Sequence, residues 1–441
     1  MTTLRPAGQA PGAAGGTSGL AAQAAAARAA GRKLAGATTG QKNAFLSRLS
    51  GSLLKQLGPL VVANDRDVKA ARADGLGEHI IDRLRLDEER LRKIAADVEV
   101  VAGLDDPVGE VFESREMPNG LSIKRVRVPI GVIGVIYESR PNVTIDIASL
   151  CLKAGNALVL RGGKEAINSN TALAGVVRDA LAVEGLPADA LQFIASTDRA
   201  IVTEMLGARG LLDLLIPRGG EALINRVREE SRVPAITGGI GVCHTYVDRA
   251  ADVEKAVEIV FNAKTQRPSV CNALDTVLVH SDAAAAVLPP LARRLAGGGV
   301  EMRCDSRSLA VIEPALADDD GRAKLKAAAP GDFGQEFLAL VASIRVVDSL
   351  DDALAHIVEY GSGHSEAIVS EDEAACERFL SEVDAAAVFA NASTRFHDGG
   401  QFGLGAEIAI STDRLHARGP LGLREITSYK WVVRGDGHIL S

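Results

Sequence analysis

The chain has 441 residues, 47% of them apolar and only 3% aromatic, with a formal net charge of −8. That length suggests two or three domains, with cores of Ala, Val, Leu and Ile rather than rings. Few aromatics and no long basic run argue against nucleic acid or an anionic membrane as main partner, and no apolar run approaches the about 18 residues of a membrane-crossing helix.

The chain opens with MTTLRPAGQAPGAAGGTSG, a Gly-, Ala- and Pro-rich stretch that reads as a disordered tail over residues 1–18. The first acidic residue is Asp65, a bias loosely similar to that of a transit peptide. The plainer reading is an Ala-rich tail and an Ala-rich first helix. Arg28, Arg32 and Lys33 then lie on a pattern that continues into KNAFLSRLSGSLLKQL. Residues 20–100 read as several helices, with apolar positions every three to four residues, as in HIIDRLRLDEERLRKIAADV. Next, two alternating runs flank Pro118-Asn119-Gly120, a strong hairpin turn signal. Such a hairpin needs a pairing partner, and a second subunit is the candidate.

From Val132 the pattern changes. VIGVIY, ALVLR, LQFIA, LLDLLIP and VPAIT read as strands, with helices between them. Short apolar strands alternating with helices predict a parallel, doubly wound α/β sheet, whose ligands sit at the carboxyl ends of the strands. A second α/β unit follows from about residue 250. Its strands are ALDTVLVH, SIRVVD, EAIVS and AAVFA, and its helix AAAAVLPPLARRLAGGG is expected to be interrupted by prolines. ITSYKWVVRG closes the chain as a strand-like tail.

Two strand ends carry glycine pairs, Gly162-Gly163 in LVLRGGKEA and Gly219-Gly220 in LLIPRGGEA. Neither is a GxGxxG. A glycine pair lets backbone approach a ligand, and a helix N-terminus favours an anion, although such turns also serve packing. Lys164 follows the first pair, where a cation could meet a phosphate. The five cysteines, Cys151, Cys243, Cys271, Cys304 and Cys376, are scattered, odd in number and without a CxxC pair. They suggest neither a disulfide framework nor a metal site, and a reducing compartment, the cytoplasm, fits them. Cys271 in NAKTQRPSVCN stands apart, with Lys264 and Arg267 near it in sequence, because cationic neighbours lower a thiol pKa. A buried core cysteine is the alternative, and it is the reading given to Cys151 and Cys243.

At this point a resemblance becomes specific. VPIGVIGVIYESRPNVTIDIASLCLKAGNALVLRGGKEA, ITGGIGVCHTYVD, NAKTQRPSVCN, GSGHSEAIV and NASTRFHDGGQFGLGAEIAIST resemble, in order, the γ-glutamyl phosphate reductase family, also called glutamate-5-semialdehyde dehydrogenases, within the aldehyde dehydrogenase superfamily. The resemblance runs from about residue 20 to the end. It implies an aldehyde dehydrogenase-like fold. A Rossmann-type cofactor domain would span 19–110 and 130–248, a catalytic domain 249–424, and an oligomerisation flap 111–129 with 425–441. It makes Cys271 the nucleophile and Asn142 the partner of the Cys271 N–H in an oxyanion hole. Glu336 and Arg161 match residues near the cofactor riboses, and the family's reductase activity is linked to NADPH. Lys164 suits the 2′-phosphate, since many NAD-linked relatives carry an acid there. Arg140, Arg267 and Arg395 are the cations of the motif loops, and an arginine fork suits substrate oxyanions. Asn391, Ser393 and Thr394 could add hydrogen bonds. His364 could contact phosphate or cap the turn before EAIVS.

The implied reaction is NADPH-dependent reduction of L-glutamyl 5-phosphate to L-glutamate 5-semialdehyde and phosphate through a cysteine thioester, in proline biosynthesis. No metal is implied. A homo-oligomer, dimer or tetramer, and association with glutamate 5-kinase are the implied partners. The alternative is an aldehyde dehydrogenase acting on another semialdehyde or acyl phosphate. Ile236-Thr237-Gly238-Gly239 stands where hydrolytic relatives begin with a water-activating glutamate, which argues against release of a free acid. A catalytically dead scaffold is the other rival, and the presence of Cys271 and Asn142 argues against it.

Overall fold

The computed structural model describes residues 19–316 and 319–440, so the expected tail over 1–18 lies outside the described residues. Two parallel sheets organise the chain, as the strand–helix alternation predicts. The first has four strands, in the order Leu191–Phe193, Ala157–Arg161, Val132–Tyr137, Leu214–Arg218. The second has seven: Leu325–Ala327, Glu301–Cys304, Val341–Val347, Leu274–His280, Cys243–Val247, Ser365–Val369 and Ala387–Ala390. Helices sandwich both, so the central strands are buried on each face and read as continuous apolar runs. Cys243–Val247 already belongs to the second sheet. The sheets therefore part before Cys243 rather than after residue 248. The chain also returns at its end. Ile408, Ala409, Leu421 and Ile426 pack into the core of the first sheet rather than the second.

The Ala-rich helix Gly19–Leu34 buries Leu20, Ala24, Ala27, Ala30 and Leu34 in that same core. Its small face allows close approach: a methyl on Gly31 would lie 3.2 Å from Ala157 Cβ. The alanines thus form a packing surface, and Arg28 binds Asp213 at 3.1 Å.

VPAIT makes only a bridge at Ala235 against Leu215, because Pro234 has no N–H to extend the ladder. The expected interruption at Pro289-Pro290 does not occur, and Ser281–Gly297 is one helix. The carbonyls that two prolines leave without donors belong to Ala285 and Ala286, on its exposed face, where solvent can serve them.

The hairpin Val111–Glu116/Ser122–Pro129 forms as its turn signal predicts, with Gly120 at φ +90°. Its partner differs from the expectation. The C-terminal strand Thr427–Arg434 pairs with Ser122–Pro129 of the same chain, from Thr427 opposite Pro129 to Arg434 opposite Ser122. The reason is local. Arg125 stacks on Tyr429 at 3.9 Å and lies near Phe112 and Trp431, at 4.8 and 5.2 Å, so this three-stranded flap has its own cation–aromatic cluster.

Candidate active site

Cys271 lies half-buried in the turn between the helix Val253–Thr265 and the strand Leu274–His280. Its backbone is fixed from several sides. Gly241 passes so close that a methyl there would fall 1.6 Å from the Cys271 carbonyl oxygen, so only glycine fits. The Cys243 thiol, read from sequence as core, donates to that same oxygen at 3.2 Å. Next along the chain, Asn272 Nδ2 donates to His397 O at 3.0 Å, and Thr394 Oγ1 donates to Asn272 O at 2.8 Å. Arg395 donates to the Asn272 side chain and, through Nε, to Gln266 at 2.9 Å. The loop 391–397 is in this way fastened to the Cys271 turn.

Several residues expected to meet substrate are engaged in that fastening. Both ends of the Asn391 amide bond Ser370, at 3.0 and 2.9 Å, which holds this residue at φ +53°. Ser393 Oγ accepts from the Arg395 N–H at 3.3 Å. His364 is fully buried, bonded to Ser365 at 2.7 Å and in edge contact with His397. Its ring bonds the neighbouring hydroxyl rather than any backbone group of the turn, and it is closed off from solvent. Burial pushes His364 down to about 3 and His397 to about 4, so both are neutral.

The electrostatics around Cys271 differ from the expectation. Burial, followed by the Glu336 charge, pushes the thiol up to about 11. Lys264 does not act on it as expected, because it is buried and turned to Leu274 O at 2.6 Å and Asp275 at 3.3 Å. Arg218 is the cation that opposes the rise most strongly. Glu336 accepts from the Gly241 N–H at 2.9 Å, which places its carboxylate at the Cys271 turn.

Asn142 immediately precedes the buried helix Val143–Lys153. Its Nδ2 donates to Asp146, one turn on, at 2.8 Å. A carboxylate can only accept, so this bond sets which end of the amide is the donor and leaves its second hydrogen available. Burial pushes Asp146 up to about 6. Arg140, two residues before Asn142, lies within electrostatic reach of Arg83, Arg218 and Arg267. Burial and these like charges hold its guanidinium below the usual value.

The two glycine turns each face a carboxylate that sequence reasoning missed. Glu138 accepts from the Gly220 N–H at 2.9 Å, and a methyl on Gly219 would meet it at 2.4 Å. Glu165 accepts from the Ser139 N–H and hydroxyl, each at 2.7 Å, and covers Gly163. Arg161 is buried, and its Nε has no partner among the described residues. Lys164 beside it is exposed. Glu407, also missed, lies near enough to act on the Cys271 thiol. Burial pushes it up to about 7, and it accepts from the Gly399 N–H at 2.9 Å. Ile236 is buried in the first core, while Thr237 beside it is held by Asp413 at 3.0 Å. Among the described residues no group of His, Cys, Asp and Glu side chains could hold a metal ion.

Comparison with known proteins identifies the family. The model of the aldehyde dehydrogenase family matches residues 12–318. The γ-glutamyl phosphate reductase of Dehalococcoides mccartyi (strain CBDB1) is 54% identical, over 94% of this chain and 96% of that protein. That of Roseiflexus castenholzii is 55% identical, over 94% and 97%. The crystal structure of the Thermotoga maritima γ-glutamyl phosphate reductase superposes with a TM-score of 0.91 at 45% identity, covering 96% of this chain and all of that one. With near-complete coverage at this identity, the chain belongs to the γ-glutamyl phosphate reductase family of the aldehyde dehydrogenases.

Proposed function

We propose that the protein reduces L-glutamyl 5-phosphate to L-glutamate 5-semialdehyde, with release of phosphate, using NADPH. One observation carries the reading: the half-buried Cys271 faces arginines, while the position of the hydrolytic glutamate is filled by the buried Ile236. A carboxylate repels hydride, and phosphorylation both removes that obstacle and supplies a leaving group. The Cys271 thiolate attacks the acyl carbon. A C–S bond forms, the C–O bond to phosphate breaks, and phosphate departs with the electron pair. The cofactor, when bound, supplies the hydride that reduces the thioester. The second Nδ2 hydrogen of Asn142 and the Cys271 N–H hold the oxyanion, an interaction typically worth about 3 kcal/mol per donor. Collapse of the hemithioacetal frees the aldehyde and returns the thiolate.

The cofactor side fits a phosphorylated dinucleotide. Arg161 has an orphaned buried N–H, Gly162 and Gly163 let Asn170 and Glu165 close over the strand end, and Lys164 is an exposed cation. Arg161 and Lys164 would hold the adenosine ribose and its 2′-phosphate, and Glu336 the other ribose. For substrate, Arg140, Arg267 and Arg395 are the proposed oxyanion partners. Asn391, Ser393 and Thr394 act by holding their loop against the nucleophile turn. The flap strand Thr427–Arg434 has one unpaired edge among the described residues, and a homo-oligomer joined there belongs to the proposal. The five cysteines are all free, in keeping with the reducing cytoplasm. No helix among the described residues is long and apolar enough to cross a membrane. Association with glutamate 5-kinase is carried by the family resemblance alone.

The test is oxidation of the semialdehyde with NADP+. The rate should require inorganic phosphate. Free glutamate formed at full rate without phosphate would refute the proposal.

A further inference from the structure

Arg218 ends the strand Leu214–Arg218, in register with Tyr137 of Val132–Tyr137. Its carbonyl accepts from the Glu138 N–H at 3.0 Å. This parallel pairing brings Arg218 and the loop 138–142 to the same carboxyl-terminal edge, where ligands meet such sheets. The guanidinium is half-buried and has no hydrogen bond or ion pair with any described residue. Its charge nevertheless acts on four groups: the Cys271 thiol, the Asp146 carboxyl beneath Asn142, the Glu407 carboxyl and the Arg140 guanidinium. These come from separate stretches of chain, so Arg218 stands where they converge. A half-buried cation without a partner is costly, and a second arginine close by adds repulsion. A multiply charged anion between the two relieves both costs.

We infer that Arg218 binds the phosphoryl group of the substrate beside Cys271 and holds it until it leaves as inorganic phosphate. The inference rests on the acyl-phosphate reading above. Position decides which end of the substrate it takes. The phosphoryl oxygen is bonded to the carbon under attack, so an unpaired cation at this strand end, whose charge reaches the sulfur, meets the leaving group, with Arg140 beside it. The α-carboxylate lies at the far end of the chain and falls to Arg267 and Arg395. Charge grows on the leaving oxygen as the C–O bond breaks, and a planar fork with several donors suits it. Before attack the same cation favours the thiolate.

Run in the oxidative direction, the reaction takes up phosphate as a separate substrate, so its binding can be measured alone. Arg218→Gln should raise KM for phosphate about tenfold to a hundredfold. KM for the semialdehyde and for NADP+ should change less than about threefold, and Arg218→Lys should recover part of the loss. Iodoacetamide labelling of Cys271 should shift to higher pH in Arg218→Gln. A raised KM for the semialdehyde with phosphate unaffected would put Arg218 at the α-carboxylate and overturn the inference. So would a uniform rise in all three constants that Arg218→Lys fails to reverse, which marks a structural role. If wild type shows no phosphate dependence, the acyl-phosphate reading falls and this inference with it. If wild type needs phosphate but Arg218→Gln keeps its phosphate KM, Arg218 alone is excluded.

Discussion

On the side of the seven-stranded sheet, most polar groups around Cys271 are bonded to one another, the exposed Arg267 excepted: Cys243 to the Cys271 carbonyl, Thr394 to the Asn272 carbonyl, Asn272 to His397, and Arg395 to Asn272. On the side of the four-stranded sheet, Arg140 and Arg218 have no partner among the described residues. The first wall is organised before any ligand arrives. The second is left charged and incomplete until one does. The difference follows from what each wall must do. A nucleophile must be held within a few tenths of an ångström of its productive position, whereas a leaving anion must be taken up and then released.

The comparison breaks most severely at the nucleophile itself. Cys271→Ser should lower the reduction rate by about three orders of magnitude or more, because an alcohol at neutral pH is far less ionised than even a thiol raised to about 11. The organised wall should keep its shape, since its bonds run through the Cys271 carbonyl and Asn272 rather than the sulfur. NADPH binding, followed by fluorescence, should be nearly unaltered. Near-normal turnover would remove Cys271 from the mechanism.

Asp146 lies on the charged side, where it holds Asn142 and is itself drawn by Arg218. Asp146→Ala should reduce kcat by about tenfold to a hundredfold with little change in KM, since the amide loses the acceptor that orients it. Asp146→Asn can still accept through its carbonyl and should keep more of the rate. Asp97, Arg218 and Lys93 are the other charges that act on this carboxyl. With the folded pKa raised to about 6, Asp146 is ionised at pH 7 and becomes protonated as pH falls through 6, so wild-type kcat should fall there. The sign for stability is the reverse. A raised carboxyl pKa means that the native state holds its proton more tightly than the unfolded chain, so this protonation favours the fold. The buried histidines act in the other direction. His356 and His364 are depressed to about 3 and His397 to about 4, and stability carried by their neutral forms is lost as pH falls below the usual imidazole range. Wild type and Asp146→Asn must therefore be compared at each pH. An acid limb of kcat common to both would exclude Asp146 as its source.

Lys164 tests whether the incomplete wall extends to the cofactor. Lys164→Glu should move the ratio of kcat/KM for NADPH over NADH by about tenfold towards NADH, because a carboxylate repels a 2′-phosphate and accepts from a ribose hydroxyl. An unchanged ratio would mean that Lys164 does not face the phosphate.

Much of the organised wall was legible because it lies in continuous motifs. NAKTQRPSVCN and NASTRFHDGG carry most of the residues that hold Cys271, and the buried strands read as unbroken apolar runs. The charged wall was harder to read, since it forms only when separate strand ends meet. Arg218, Glu138, Glu165 and Glu407 have no periodicity to mark them. One signal was available: LVLRGGKEA and LLIPRGGEA both place Arg-Gly-Gly at a strand end, so Arg218 occupies the counterpart of Arg161. The spacing of Asn142 and Asp146, one helical turn apart, was another. The flap's two parts were legible, but not that they pair within one chain, because strand patterns do not state which edge they meet. Pro289-Pro290 misled for a related reason: the cost of a proline depends on whether the carbonyls it strands are buried.

The smallest expected effect lies inside the organised wall. Cys243→Ala removes a small buried side chain and the donor to the Cys271 carbonyl, which should cost about 1–2 kcal/mol of stability. Its effect on turnover should be only a few-fold, because Asn272, Thr394 and Gly241 still fix the nucleophile turn. Cys243→Ser keeps a donor of similar shape and should restore most of kcat, even if a buried hydroxyl leaves the protein less stable. Urea unfolding and kcat measured on the two variants separate packing from positioning. Equal losses of kcat in both would show that the thiol only fills space. A loss of a hundredfold or more in Cys243→Ala would show that the bond to the Cys271 carbonyl has no substitute, and that the organised wall hangs on one contact rather than several.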